Sequence, residues 1–151
     1  MTTTTLASRQ VMAPNDAETI VSDWVTAKIM ASPATTGAEN TSAVSLYFNP
    51  GQGHARHNHP ASEQLIFVIG GEGVMMIEDE AGRPVETAIA AGSLVTIPRG
   101  AFHSTFNTGW EPLRILAVYS PAGPEEAMRT SPEFTVLAAG VQPTNPVSTE
   151  T

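Results

Sequence analysis

Between residues 43 and 119 no apolar run is long enough for a helix of ordinary length, and turn residues interrupt the chain every few positions. The runs at 43–48, 64–69, 73–78, 85–89, 93–97, 102–106 and 113–119 are short and rich in β-branched, aromatic and aliphatic residues. Pro50-Gly51, Gly70-Gly71, Gly82-Arg83-Pro84 and Ala91-Gly92 separate them, each a pair or triplet suited to a tight turn. Short strands at near-regular spacing predict an all-β domain, an antiparallel sandwich or barrel. Residues 79–84 fit a hairpin tip between two such strands. Residues 20–30, with Trp24, Val25, Ile29 and Met30, read as one or two edge strands, and 33–40 as a loop. Residues 124–130 suit a short helix, with Glu125 and Glu126 at its start and Arg129 at its end. The expected organisation is an N-terminal arm with edge strands over 1–40, a barrel over 41–120 and a C-terminal extension over 121–151. The tail from Gln142, with Pro143, Asn145 and Pro146, is expected to be disordered.

Charge narrows the partners. Seven Lys and Arg stand against 15 Asp and Glu, a formal net charge of -8. Such a chain offers no electrostatic footprint for nucleic acid or an anionic membrane. No stretch approaches the ~18 consecutive apolar residues of a membrane span, and residues 1–13 lack the apolar core of a signal peptide. With no cysteine there is neither a disulfide nor a thiolate ligand, which suits a reducing compartment. The expectation is a soluble, cytoplasmic protein with a small-molecule partner.

Chemistry concentrates in the four histidines, at 54, 57, 59 and 103. Residues two apart on a strand share a face, so His57 and His59 can reach one point inside a barrel. Glu63 opens the apolar run 65–69, where a carboxylate is costly unless paired or bound to a cation. His103 lies in a second strand, just after the turn Pro98-Arg99-Gly100. Imidazoles from two strands with one carboxylate suit one divalent transition-metal ion: iron(II), manganese, cobalt, nickel, copper or zinc. Neutral imidazole must be available, so the ordinary histidine value places the loss of metal below about pH 6.

Two spacings carry a family resemblance. Gly51, five residues, His57-x-His59, three residues, Glu63, six residues and Gly70 form the first. Gly92, five residues, Pro98-x-Gly100, two residues, His103, three residues and Asn107 form the second. Together they resemble the two motifs of the cupin superfamily over residues 42–119. The resemblance implies a small antiparallel jelly-roll β-barrel, with His57, His59, Glu63 and His103 as the metal ligands. Asn107 reads as a residue that bonds turn backbone rather than metal.

Around that centre, alternation offers Tyr47, Phe67, Met76, Thr105 and Tyr119 as pocket residues. Arg56 could meet an anionic substrate at the barrel mouth. His54, three residues before His57, should point away from the ligands and is a lesser candidate. The leading expectation is a mononuclear metal-dependent oxygenase for a small organic molecule, with Glu63 as both ligand and proton acceptor. The alternatives are a non-redox Lewis-acid isomerase, epimerase or lyase and a non-catalytic binding protein. The apolar content of 20–30 and the exposed edges of a small barrel further suggest a homodimer.

Overall fold

The computed structural model describes residues 10–143. Its eleven strands are β1 (Thr19–Val21), β2 (Thr26–Ala31), β3 (Ser42–Phe48), β4 (Gly53–His57), β5 (Glu63–Gly70), β6 (Glu72–Glu78), β7 (Pro84–Ala90), β8 (Leu94–Ile97), β9 (His103–Asn107), β10 (Leu113–Ser120) and β11 (Thr135–Leu137). One short helix, α1 (Pro124–Thr130), follows β10. A seven-stranded sheet runs β11-β1-β2-β3-β10-β5-β8, and a four-stranded sheet runs β4-β9-β6-β7. Every pairing is antiparallel.

Alternation of apolar and polar residues decides which face of each strand turns inward. Strand β3 buries Ser42, Val44, Leu46 and Phe48, and β10 buries Leu113, Ile115, Ala117 and Tyr119. Register pairs Ile115 with Leu46 on one side and Val68 on the other, so the middle of the large sheet presents one continuous apolar face. Met75 and Ile89 of the small sheet close over it. Each fully buried aliphatic or aromatic side chain contributes roughly 1.5–3 kcal/mol.

The N-terminal segment does more than edge the sheet. Ile20, Val25, Ala27 and Ile29 belong to this same core, so the apolar content of 20–30 is used within the chain itself. Strand β11 pairs with β1, which ties the C-terminal extension to the N-terminal strands. Helix α1 forms where its charge pattern predicts, with Glu125 and Glu126 in its first turn and Arg129 in its last. Most of the tail expected to be disordered lies outside the described residues. Among those residues no helix is long and apolar enough to cross a membrane.

Candidate metal centre

His57 ends β4 and His103 begins β9, and the two are register partners across the small sheet. Between His54 and His57 the register slips: His54 faces Thr105 and His57 faces His103, so two residues of β4 oppose Ser104 alone. This is a bulge, which re-aims the side chains on either side of it. Gly53 lets β4 approach at this point, because a Cβ there would collide with the Thr105 carbonyl and the Phe106 backbone.

His59 lies beyond the strand, in the turn that leads to β5. Its carbonyl accepts the Gly100 N–H at 3.0 Å and the Ser62 N–H at 3.3 Å, and the Asn58 amide donates to the Gly100 carbonyl at 3.2 Å. Gly100 has φ +77°, a left-handed conformation that glycine takes at no steric cost. These bonds lock the loop carrying His59 to the loop that precedes His103. The three rings converge: His57 lies 4.2 Å from His103 and 4.9 Å from His59 between centroids, and His59 lies 5.3 Å from His103. One ligating nitrogen from each falls within 4.8 Å of the others.

The tautomers follow from hydrogen bonding. His57 Nδ1 lies 2.6 Å from the Ala55 carbonyl, and His103 Nδ1 lies 2.8 Å from the Ala101 carbonyl. A carbonyl only accepts, so each Nδ1 carries the proton and each Nε2 presents its lone pair. The Nε2 atoms of His59 and His103 are buried with no hydrogen-bond partner among the described residues. Unpartnered buried nitrogens are costly, and a metal ion coordinated by these lone pairs would satisfy them. Backbone-anchored Nδ1–H groups are the usual way ligating imidazoles are oriented. The three histidines therefore fit a bound metal ion.

Burial is the main reason all four imidazoles resist protonation. Desolvation first, then the other imidazoles, lowers His57 to about 3 and His54 to about 4. Burial, followed by His103, lowers His59 to about 4. Burial also lowers His103, against a smaller opposing effect of its bond to Ala101. Loss of metal through ligand protonation is thus moved to lower pH than the ordinary histidine value implies.

Several expected positions are corrected. Glu63 is exposed on the outer face of β5, and no carboxylate joins the three-histidine group among the described residues. Gln64, one residue on, is the inward side chain, only 3% exposed. Tyr47 and Phe67 also face outward: Tyr47 lies beneath the Arg114 guanidinium, and Phe67 is 43% exposed. Arg56 lies on the outside of the small sheet, over the Phe102 ring at 3.8 Å and paired with Glu78 at 2.5 Å. Met76 alternates with the inward Met75 and stands opposite Ser104 on the far face.

Two of the candidates do line the pocket, and one of these, His54, was expected to point away. The bulge brings it inward, where it stacks on His57 at 3.5 Å and on Trp24 at 4.3 Å. Tyr119 packs edge-on against His59 at 5.1 Å. Burial and the nearby Glu125 push its hydroxyl well above the ordinary range, so it stays protonated. Thr105 is buried opposite His54 and donates to the Met75 sulfur at 3.1 Å. Asn107 bonds backbone as expected, donating to the Phe48 and Glu111 carbonyls.

Together His54, His57, His59 and Tyr119 border a pocket of about 300 Å³. Its outer wall comes from Trp24, Met128 and Phe134, which the sequence did not place at the site. Trp24 meets Phe134 edge-on at 5.7 Å, and Met128 of α1 adds to this wall. Apolar side chains in segments of no known motif were the only available signal for this wall.

The fold and the three converging imidazoles define a small antiparallel β-barrel with a candidate metal centre inside it. The chain belongs to the cupin superfamily: the cupin-domain family profile matches residues 45–119. A germin-like protein of Oryza sativa subsp. japonica is 28% identical over 116 residues, which cover 77% of this chain and 54% of that protein. Auxin-binding protein 1 of Arabidopsis thaliana is 32% identical over 77 residues, 48% of this chain and 38% of that one. The chain thus spans about half, or less, of the length of these relatives. Among solved structures, a tryptophan-to-phenylalanine variant of Bacillus subtilis oxalate decarboxylase superposes with a TM-score of 0.67 at 22% identity, covering 76% of this chain and 30% of that one. At that identity the likeness establishes the fold.

Proposed function

We propose that this cupin is a mononuclear metal-dependent oxygenase acting on a small organic molecule held in the pocket beside His57, His59 and His103. The observation that carries the reading is the convergence of three imidazoles, two with unpartnered buried Nε2 atoms, beside a pocket of about 300 Å³ that His57 and His59 line. That volume suits a molecule of a few heavy atoms, at the small end of ligand pockets. A redox-active ion bound there would supply open coordination positions for substrate and dioxygen. The chain's own part is to orient the ligands through the Ala55 and Ala101 carbonyls and to exclude water with Trp24, Met128 and Phe134. The Tyr119 hydroxyl, held protonated, offers a hydrogen bond to a substrate oxygen. Manganese is a strong candidate ion, because the Bacillus subtilis oxalate decarboxylase of the same fold has Mn(II) centres.

Glu63 cannot accept a proton at this centre from its place on the outer face. That supports a second reading, capture of a small molecule without turnover, and the name of Auxin-binding protein 1 lends it weight. The two are separated by loading the protein with Mn(II) or Fe(II) and supplying small carboxylates and hydroxy-acids in an oxygen electrode. Substrate-dependent oxygen uptake supports the oxygenase. Ligand binding without uptake, with every redox metal tried, overturns it in favour of capture.

The proposal includes a homodimer, now on different grounds. Leu65, Phe67 and Ile69 of β5 and Leu94 of β8 stand 39–63% exposed on the outer face of the large sheet. Register sets Phe67 beside Leu94 and Leu116, so the residues form one patch. Contiguous apolar patches of this kind mark association surfaces. Sedimentation should give a dimer in the wild type and a shift towards monomer in Phe67→Glu. A monomeric wild type at all accessible concentrations rejects the dimer.

A further inference from the structure

We propose that Gln64, through its side-chain carbonyl oxygen, is the fourth protein donor to the metal, making the donor set electrically neutral and the loaded centre selective for small carboxylates. The inference rests on the reading of His57, His59 and His103 as metal ligands. Gln64 is 3% exposed, and its Oε1 atom is buried with no hydrogen-bond partner among the described residues. On β5 it stands between Tyr119 of β10 and Ile97 of β8, both buried on the inner face. Tyr119 in turn packs on His59, which places Gln64 on the histidine side of the barrel.

A strand presents successive side chains to opposite faces, so Glu63 and Gln64 cannot both enter the interior. Ile66 and Val68 share the inward face with Gln64, and slipping the register by one would bury the Glu63 charge and expose both of them. An amide carbonyl buried without a partner is unfavourable. A cation at the three imidazoles would relieve that cost, and an amide oxygen suits the divalent ions that imidazole also binds.

The charge balance has a consequence for ligand choice. A carboxylate donor would leave a divalent ion with one net positive charge, whereas an amide leaves both. The pocket lining contains no Lys or Arg, and its one acidic residue, Glu133, is exposed. An anion entering the pocket would therefore find its countercharge at the metal alone.

The test uses the full chain, stripped with a chelator and reloaded with Co(II), whose visible absorption reports its ligands. Affinity is read by chelator competition, and anion binding by the spectral change on adding acetate. Four proteins are compared: wild type, Glu63→Ala, Gln64→Leu and Gln64→Glu. Glu63→Ala should keep the wild-type spectrum and affinity. Gln64→Leu should change the spectrum and weaken Co(II) by about 10-fold or more. Gln64→Glu, which preserves the shape should the leucine variant fail to fold, should hold Co(II) more tightly and acetate about 10-fold less tightly. A wild-type spectrum in both Gln64 variants, or loss of metal in Glu63→Ala, overturns the role of Gln64 while the three-histidine site stands. Unchanged acetate affinity in Gln64→Glu overturns the charge argument. Failure of the wild type to take up Co(II) overturns the three-histidine reading itself, and this proposal with it.

Discussion

A His103→Ala protein is expected to lose nearly all its metal while keeping its barrel. His103 is 1% exposed, and its Nδ1 is held by the Ala101 carbonyl, so its Nε2 is fixed in position before any ion arrives. Removing only the hydrogen-bonding support of a ligand typically weakens a metal site 10–100-fold. Removing the ligand itself should exceed that, and dialysed protein should hold little metal by elemental analysis. The fold should survive because the apolar core draws on residues from both sheets and does not include the histidines. Deletion also removes a buried nitrogen that has no hydrogen-bond partner among the described residues, which offsets part of the cavity cost. Far-UV circular dichroism should match the wild type. Full metal occupancy in the purified variant would sink the assignment of His103.

The second large effect concerns acid. In the unfolded chain the imidazoles titrate near 6.5, whereas in the folded, metal-free chain His57 titrates at about 3 and His54 and His59 at about 4. Between those limits the unfolded chain binds protons that the folded chain refuses. Stability therefore falls as pH drops from about 6.5 towards about 4, because stability rises with pH wherever the unfolded state binds more protons. With several histidines contributing, the Tm of the metal-free protein should fall by ~10 °C or more between pH 7 and pH 5. Metal affinity of the folded protein should change little over the same interval, because the ligands are already neutral. Bound metal should raise Tm at both values by mass action. Scanning calorimetry of both forms checks this. A flat Tm in the metal-free protein, or a steep loss of metal affinity by pH 5, would contradict the burial of these rings.

Most of the barrel strands were legible because their physics is local. Gly and Pro punctuate short apolar runs, and β3 and β10 alternate cleanly, so their inward residues follow from period-two counting. The histidine spacings were legible for a related reason: each set belongs to a motif whose turn residues, such as Gly100, are needed where they stand.

The same counting failed on β5. Residues 65–69 are apolar at every position, so both faces look inward and the pattern does not say whether Glu63 or Gln64 enters the barrel. Only the pairing of Gln64 with Tyr119 and Ile97 decides it. The bulge in β4 defeated counting differently. One extra residue reverses which side chains share a face, and that turned His54 from an outward residue into the stacking partner of His57. Strand alternation also assumes that both neighbours are strand residues, yet His59 lies in a turn whose direction is set by bonds to the distant Gly100 loop.

What the sequence alone determined was the fold class, the superfamily and the three histidines that the structure brings together. These rest on spacing and local turn chemistry, which a chain carries in its own order. What only the tertiary structure decided was which of Glu63 and Gln64 turns inward, which face Arg56, Tyr47, Phe67 and Met76 occupy, and what walls the pocket. Each of these depends on contacts between residues far apart in the chain: β5 against β10, β4 against β9, and Trp24 against Phe134. Such contacts arise when the two sheets pack and exclude water, and no local pattern in the sequence encodes them.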